Sequence, residues 1–199
     1  MSGLDRDILS PGHGAPTSAP SASVDILDPT GLLSREALAN LRLEAAAALS
    51  HIPRPGEVRV RLLGDAEMAE AHLKYSDIPG TTDVLTFDLS EGRTATGGPL
   101  DVDILVCIDE ARRQAATHQH APEREALLYI LHGVLHCLGH DDHDDDAFDR
   151  MHAEEDRILR AIGIGPLFDP GAPPVPPSPV IHLGTRHSAL GTPPGVSLP

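Results

Sequence analysis

The sequence predicts an α+β (mixed α/β) fold, in which a small mixed sheet packs against helices. Strand-like and helix-like segments are both present, but they do not alternate as a regular βαβ repeat. Segment 57–62, EVRVRL, alternates apolar and charged residues, which is typical of a strand with one exposed face. Segment 122–138 has apolar side chains around most of its helical circumference, which indicates a helix buried on nearly all sides.

The first half of the chain is predicted to contain two strands and two helices. Ser34 suits an N-cap position, and apolar residues then recur at helical spacing as far as Ser50. The prolines and glycine of IPRPG end this helix, and Asp65 is predicted to cap the next one. The predicted elements are a strand at 23–28, a helix at 34–50, a strand at 57–62 and a helix at 65–75.

The second half is predicted to contain two strands and three helices. VLTFDL and LDVDILVCI are strand-like runs joined by a Gly-rich connection, and Asp109 is predicted to cap the helix that follows. Pro122 suits the first turn of the next helix, where its missing N–H costs nothing, and Gly139 is a natural stop. Three aspartates favour the start of a last helix through its dipole. The elements are strands at 84–89 and 100–108 and helices at 109–118, 122–138 and 144–162.

The proline distribution predicts one folded domain between two disordered segments. The chain of 199 residues contains 19 prolines, and many of them lie near its two ends. Such segments cannot bury enough apolar surface to fold. We therefore predict a disordered N-terminal arm at 1–22, a folded domain at 23–168 and a Pro-rich disordered tail at 169–199.

The folded domain is strongly acidic. The net charge of the chain is −15; the charges of the predicted arm sum to −1 and those of the tail to zero, so −14 remains on 23–168. A field of this sign disfavours non-specific binding of nucleic acid. Any RNA-directed role therefore needs a local basic patch, a metal ion or a partner protein.

Cysteine usage and hydropathy favour a cytoplasmic protein. Cys107 and Cys137 both lie in apolar stretches, and a secreted disulfide scaffold would need more cysteines. We expect two buried free thiols with no disulfide partner. The N-terminal residues show no signal-peptide pattern, and no apolar run approaches the length of a membrane span, so no membrane association is expected.

The stretch LHGVLHCLGHDDHDDD, residues 131–146, predicts a metal site. His132 and His136 are four residues apart on the buried helix, so their side chains share one face. Two imidazoles placed in this way can bind one ion, and the loop after the helix can supply a third ligand. This is the zincin-like arrangement of catalytic zinc, with three protein ligands and one open position for water, whose pKa then falls towards about 7. The pattern predicts one Zn²⁺ per chain.

Three other interpretations fit this stretch less well. Core histidines followed by a solvated acidic loop would explain the aspartates, but not two histidines at helical spacing among leucines. An EF-hand would need a central glycine and a terminal glutamate, which the loop lacks. A metalloprotease helix reads His-Glu-x-x-His with glutamate as the base, whereas this chain has Gly133 in that position, so peptide hydrolysis is disfavoured.

Together these motifs resemble the YbeY-type endoribonucleases, which act in ribosomal RNA maturation. The signature of that family is His-Gly-x-Leu-His, two residues, then Gly-Tyr-Asp-His, and residues 132–143 here read HGVLHCLGHDDH. Residues 82–87 (TDVLTF) resemble the family's Thr-Asp-Val-Leu-Ser-Phe strand, and residues 100–109 (LDVDILVCID) resemble its Gly-Asp-Ile-x-Ile-Cys strand. Residues 151–159 resemble the helix after the metal loop. The resemblance extends over about 23–165.

The metal loop departs from the family pattern. The third family histidine lies six positions after the second, where this chain has Asp142. An alignment with one inserted residue places His140 at the family's tyrosine and makes His143 the ligand. The resemblance therefore implies metal ligands His132, His136 and His143, with His140 and then Asp142 as alternatives to His143.

The resemblance also bears on the catalytic residues. Asp141 or Asp142 is a candidate general base, or a residue that orients a ligand imidazole. Family members carry an arginine in the loop before Thr-Asp-Val-Leu, and the matching residue here is Ser76. Lys74 or Arg59 is a candidate replacement for that charge.

The function implied by the resemblance is zinc-dependent cleavage of single-stranded RNA. The expected role is maturation of the 3′ end of small-subunit ribosomal RNA and ribosome quality control. The expected partners are ribosomal RNA and the small subunit, reached through ribosomal proteins because the domain is acidic. Two alternatives remain: a ribosome assembly factor with a structural zinc and little catalysis, and a metal-dependent hydrolase of a non-RNA substrate.

Overall fold

A five-stranded sheet with five helices forms the described part of the chain. The computed structural model describes residues 21–90, 93–167 and 180–182. Its elements are β1 (Ala22–Leu27), α1 (Arg35–Ser50), β2 (Gly56–Leu63), α2 (Asp65–Ser76), β3 (Val84–Asp88), β4 (Leu100–Cys107), α3 (Ile108–His118), α4 (Pro122–Cys137), α5 (Asp145–Ala161) and β5 (Val180–His182).

The sheet is mixed and has the strand order β1-β2-β4-β3-β5. Strands β1, β2 and β4 are mutually parallel, β3 runs antiparallel to β4, and β5 is parallel to β3. This arrangement confirms the predicted α+β fold class.

The two faces of the sheet are covered unequally. One face carries Val58, Val60 and Ile104 into the main core, together with apolar side chains of α1, α4 and α5. Within the described part of the chain, α2 covers the other face through a smaller cluster that includes Met68 and Phe87. The alternation predicted for EVRVRL is therefore confirmed, because its valines lie in the core while its charged residues do not.

Of the three predicted N-cap residues, one caps its helix and the other two do not. Ser34 caps α1, and its hydroxyl accepts a hydrogen bond from the N–H of Ala37 at 3.1 Å. The prediction that Asp65 and Asp109 are N-caps is wrong, because both lie inside the first turns of α2 and α3. The Asp109 carboxylate instead accepts the N–H of Asp65 at 3.0 Å, so a side chain of α3 caps α2.

The predicted arm 1–22 and tail 169–199 lie almost entirely outside the described residues. The exceptions are residues 21 and 22, the second of which begins β1, and the segment Val180–His182, which forms β5 against β3. The sequence did not predict this last strand. Among the described helices, none combines the length and the apolar character that a membrane crossing requires.

Both thiols are buried, which leads to a prediction about their reactivity. Burial raises the pKa of Cys107 and of Cys137. Because the thiolate is the reactive form, we expect neither cysteine of the native protein to react with iodoacetamide at about pH 8. Mass spectrometry should detect two added groups only after unfolding. Native labelling of Cys137 at the rate of the unfolded chain would contradict this burial.

Candidate metal centre

Helix α4 carries the two predicted metal-binding histidines along a face that lies beside β3. Pro122 occupies its first turn, as predicted, and its apolar residues fill the main core. Gly133 lies against the sheet, where an added Cβ would be only 2.4 Å from Oγ1 of Thr86. A metalloprotease helix has glutamate at this position, and the side chain of a glutamate here would collide with β3. This geometry disfavours peptide hydrolysis.

The imidazoles of His132 and His136 face each other. Their ring planes are nearly perpendicular, at 89°, and their Nε2 atoms are 3.0 Å apart. The Nδ1 atom of His132 lies 2.8 Å from Oε1 of Glu155, and Nδ1 of His136 lies 3.1 Å from the carbonyl oxygen of His140. Since a carbonyl and a carboxylate only accept, each Nδ1 donates its hydrogen and each Nε2 keeps its lone pair. Two lone pairs at this distance require a cation between them, either a proton or a metal ion.

The surroundings of the pair shift the pKa values of the two histidines in opposite directions. Burial alone would lower the pKa of His132, but its hydrogen bond to Glu155 and the negative charges of Glu155, Asp83 and Asp142 together raise that pKa. Burial, together with the neighbouring charge of His132, lowers the pKa of His136. The pair therefore binds one proton more readily than two, and a metal ion has to displace that proton because it binds to neutral imidazoles.

Asp142 completes a group of three candidate ligands. Its side chain is 6% exposed, with Oδ2 3.6 Å from Nε2 of His132 and Oδ1 3.7 Å from Nε2 of His136. The buried Oδ1 atom has no hydrogen-bond partner. Two ligands of one tetrahedral zinc ion lie about 3.3 Å apart. The two imidazoles, the carboxylate and their separations fit a divalent cation.

Two local features return the chain from α4 to this site. Gly139 adopts a left-handed conformation, with φ of +94°, directly after the helix end. The carbonyl of His140 then approaches His136, and Asp144 caps α5 by accepting the N–H of Ala147 at 2.8 Å. The short connection between these fixed points places Asp142 over the two histidines.

The structure places the other predicted site residues outside this group of three. His143 is 71% exposed; its Nδ1 atom contacts Oδ1 of Asp141 and lies 3.8 Å from Oδ1 of Asp142. This contact lowers the pKa of Asp141 and raises that of His143. His140 contributes its backbone carbonyl, and among the described residues its imidazole belongs to no potential metal-binding group. The structure thus brings Asp142 to His132 and His136, while ligation by His143 stays a prediction.

The candidate replacements for the family arginine are engaged elsewhere. Arg59 lies 2.6 Å from a carboxylate oxygen of the buried Asp103 and 2.6 Å from one of Asp101, so its charge is already balanced on the sheet. The Lys74 ammonium lies 4.7 Å from the ring centroid of Tyr75. Ser76 ends α2. Within the described residues, no hydrogen bond or ion pair links Arg59, Lys74 or Ser76 to the metal centre.

Glu155 is a site residue that the sequence analysis missed. It lies on α5 and is completely buried, and it forms a hydrogen bond with His132, one of the two candidate metal ligands on α4. The sequence contains one signal for it: Glu155 follows Met151 by four residues, so both side chains lie on the face of α5 that packs against the core. Charged residues at such positions are rarely buried without a partner.

Comparison with known proteins agrees with the signature found in the sequence. The family model for Endoribonuclease YbeY matches residues 32–163. Endoribonuclease YbeY of Micrococcus luteus is 31% identical over 147 residues, which cover 70% of this chain and 92% of that protein. Endoribonuclease YbeY of Mycobacterium tuberculosis is 38% identical over 112 residues, covering 52% of this chain and 62% of that protein. The chain thus spans less than two thirds of the mycobacterial relative.

A solved structure also resembles this chain. The solution structure of TM1509 from Thermotoga maritima matches with a TM-score of 0.47 and 25% identity, covering 75% of this chain and 99% of that one. The match to the family model includes α4, the loop with Asp142 and the whole of α5. By that match and by its relatives, this chain belongs to the Endoribonuclease YbeY family.

Proposed function

We propose that this chain is a zinc-dependent endoribonuclease that cleaves single-stranded RNA during maturation of the 3′ end of small-subunit ribosomal RNA. The observation that carries the metal dependence is the convergence of His132, His136 and Asp142. The endoribonuclease activity is supported by the family match and by the names of the relatives.

The residues of the site have distinct roles in this proposal. Nε2 of His132, Nε2 of His136 and a carboxylate oxygen of Asp142 would hold the ion. A divalent cation there supplies Lewis acidity towards a phosphodiester oxygen or a water molecule. Glu155 and the carbonyl of His140 keep the two imidazoles in the tautomer that directs Nε2 to the centre. Asp141 and His143 form a hydrogen-bonded pair at the exposed side of Asp142, where they can pass a proton between substrate and solvent.

The charge of the chain determines how RNA would reach the site. With a net charge of −15, the protein should bind free RNA weakly and with strong dependence on salt. We therefore propose that it meets its substrate on the small ribosomal subunit in the cytoplasm, through ribosomal proteins. Cleavage should then be faster on ribosomal particles than on the same RNA in solution.

One observation favours an alternative function. Ser76 replaces the arginine expected from the family, and both candidate substitutes are engaged elsewhere. A site without that charge would stabilise a pentavalent phosphate less well. The alternative is a ribosome assembly factor whose ion is structural.

Cleavage of a small-subunit ribosomal RNA precursor extended at its 3′ end tests the proposal. The wild type should cleave it, both free and within ribosomal particles, and a chelator or the His136→Ala substitution should abolish cleavage, because either removes the ion. His51→Ala is the matched control, since His51 is an exposed histidine at the end of α1 and should leave cleavage unchanged.

The outcomes separate the two functions. Equal cleavage by His136→Ala would reveal a contaminating nuclease and overturn the proposal. No cleavage of either substrate by a wild type that retains its ion would favour the assembly factor.

A further inference from the structure

Glu155 is a buried carboxylate whose two oxygens each bond a different histidine. The residue has no exposed surface. Oε1 lies 2.8 Å from Nδ1 of His132, and Oε2 lies 2.5 Å from Nδ1 of His152. An ionised carboxylate is costly to bury unless its lone pairs are used. Here one partner belongs to the metal centre, while the other comes from the same helix as Glu155.

Helix α5 holds His152 and Glu155 on one face. They are three residues apart, so their side chains are neighbours one turn along the helix. The Phe148 ring packs edge-on against the imidazole of His152, with centroids 4.2 Å apart. The His152 ring lies nearly parallel to that of His132, at 24° and 6.4 Å between centroids. His152 is therefore fixed by packing, and it fixes the second oxygen of Glu155.

The hydrogen bonds determine the chemical form of the metal ligand. Each oxygen of Glu155 lies within hydrogen-bond distance of the Nδ1 atom of one imidazole, and an ionised carboxylate accepts both of these bonds. An ionised Glu155 can only accept, so His132 must donate through Nδ1. The lone pair of His132 then lies on Nε2, which faces His136 and Asp142.

We propose that Glu155, oriented by His152, is the positioning residue that sets the tautomer of His132 and thereby the affinity of the centre for a divalent cation. This inference rests on the proposed function only in requiring a metal ion at His132, His136 and Asp142. It does not depend on the identity of the substrate.

Cobalt binding to the full chain tests this role without measuring cleavage. The protein is freed of metal and titrated with Co²⁺, and the visible absorption of the ion and competition with a chelator give its affinity. Glutamine offers one acceptor oxygen where glutamate offers two, so one histidine loses its partner in Glu155→Gln. We expect Glu155→Gln to bind Co²⁺ about 10- to 100-fold more weakly than the wild type.

A neighbouring glutamate provides the control for this experiment. Glu154 lies on the exposed side of the same helix and pairs with Arg157. Glu154→Gln should therefore change the affinity by less than about twofold. Histidine ¹⁵N spectra of the metal-free proteins should show Nδ1 of His132 fully protonated in the wild type, whereas Glu155→Gln should show a mixture of tautomers in which Nδ1 is only partly protonated. A purely structural role for Glu155 would not alter that tautomer.

Variants of His152 test the role while Glu155 stays in place. His152→Leu removes the donor and should weaken Co²⁺ binding, whereas His152→Gln supplies an amide N–H and should restore part of the affinity. A folded Glu155→Gln with wild-type affinity and tautomer would overturn the inference. If that variant does not fold, equal affinities of wild type, His152→Leu and His152→Gln would overturn it.

Failure of this inference and failure of the proposed function give different results. A wild type that binds no Co²⁺ would overturn both. A wild type that binds Co²⁺ and depends on Glu155, but cleaves no RNA, would overturn the proposed ribonuclease and leave the role of Glu155 intact.

Discussion

Asp142→Ala is expected to release the bound metal ion as completely as His136→Ala does. The Asp142 side chain is buried, its Oδ1 atom has no hydrogen-bond partner, and its carboxylate lies 3.6 to 3.7 Å from both Nε2 atoms. Loss of one hydrogen-bond partner behind a metal ligand already weakens binding about 10- to 100-fold, so loss of a ligand should exceed about 100-fold. The metal content of the purified protein after dialysis is the measurement.

His143→Ala distinguishes the two candidates for the third ligand. The His143 side chain is largely exposed and contacts Asp141, so this variant should keep about as much metal as the wild type. Asp146→Asn is the matched control, because Asp146 is an exposed aspartate of the same acidic stretch. Retention of metal by Asp142→Ala together with its loss from His143→Ala would establish His143 as the ligand, as the inserted-residue alignment predicts.

Gly133→Glu, which creates the His-Glu-x-x-His pattern of metalloproteases, is expected to destabilise the fold severely. The first side-chain atom alone would lie 2.4 Å from Oγ1 of Thr86, and the carboxylate would enter a buried helix–sheet contact. Overpacking costs about 1–3 kcal/mol, and an unpaired buried charge adds several more, so the free energy of unfolding should fall by more than about 4 kcal/mol. Urea denaturation followed by circular dichroism measures this loss.

A smaller substitution isolates the clash. Gly133→Ala gains about 1 kcal/mol of helix propensity but loses about 1–3 kcal/mol to overpacking, so a net loss of stability is expected. Thr86→Ala removes the atom at 2.4 Å and leaves Cδ1 of Ile104 at 3.4 Å and the Cβ of residue 86 at 3.5 Å. In the Thr86→Ala background the added methyl group should therefore be tolerated. If Gly133→Ala lowers the free energy of unfolding equally in the wild type and in Thr86→Ala, residues 86 and 133 are not coupled. That result would contradict the close contact.

The elements of the fold were largely predictable because their signals are local. The alternation of 57–62 and the apolar surface of 122–138 depend on side chains within each segment. The caps of α2 and α3 failed as predictions because Asp109 reaches across to the N–H of Asp65, a contact between helices that no local pattern encodes. The three residues of β5 form a strand only because β3 offers them an edge.

The candidate site was predictable only in part, for a similar reason. His132 and His136 share one helix, so their spacing alone places them together. The position of Asp142 depends on the left-handed turn at Gly139 and on the start of α5, which together determine the path of the loop. Glu155 lies 23 residues away from His132 on another helix, so the chain must fold before the two meet.

The short strand β5 has a consequence for how the molecule avoids self-association. It pairs with β3, which would otherwise be the outer strand on that side of the sheet. A bare outer strand presents unpaired N–H and C=O groups on which a second chain can add a strand of its own. The three residues of β5 occupy that template at Thr86, Phe87 and Asp88. Strand β5 thus covers this part of the β3 edge beside α4, the helix that carries the candidate metal ligands His132 and His136.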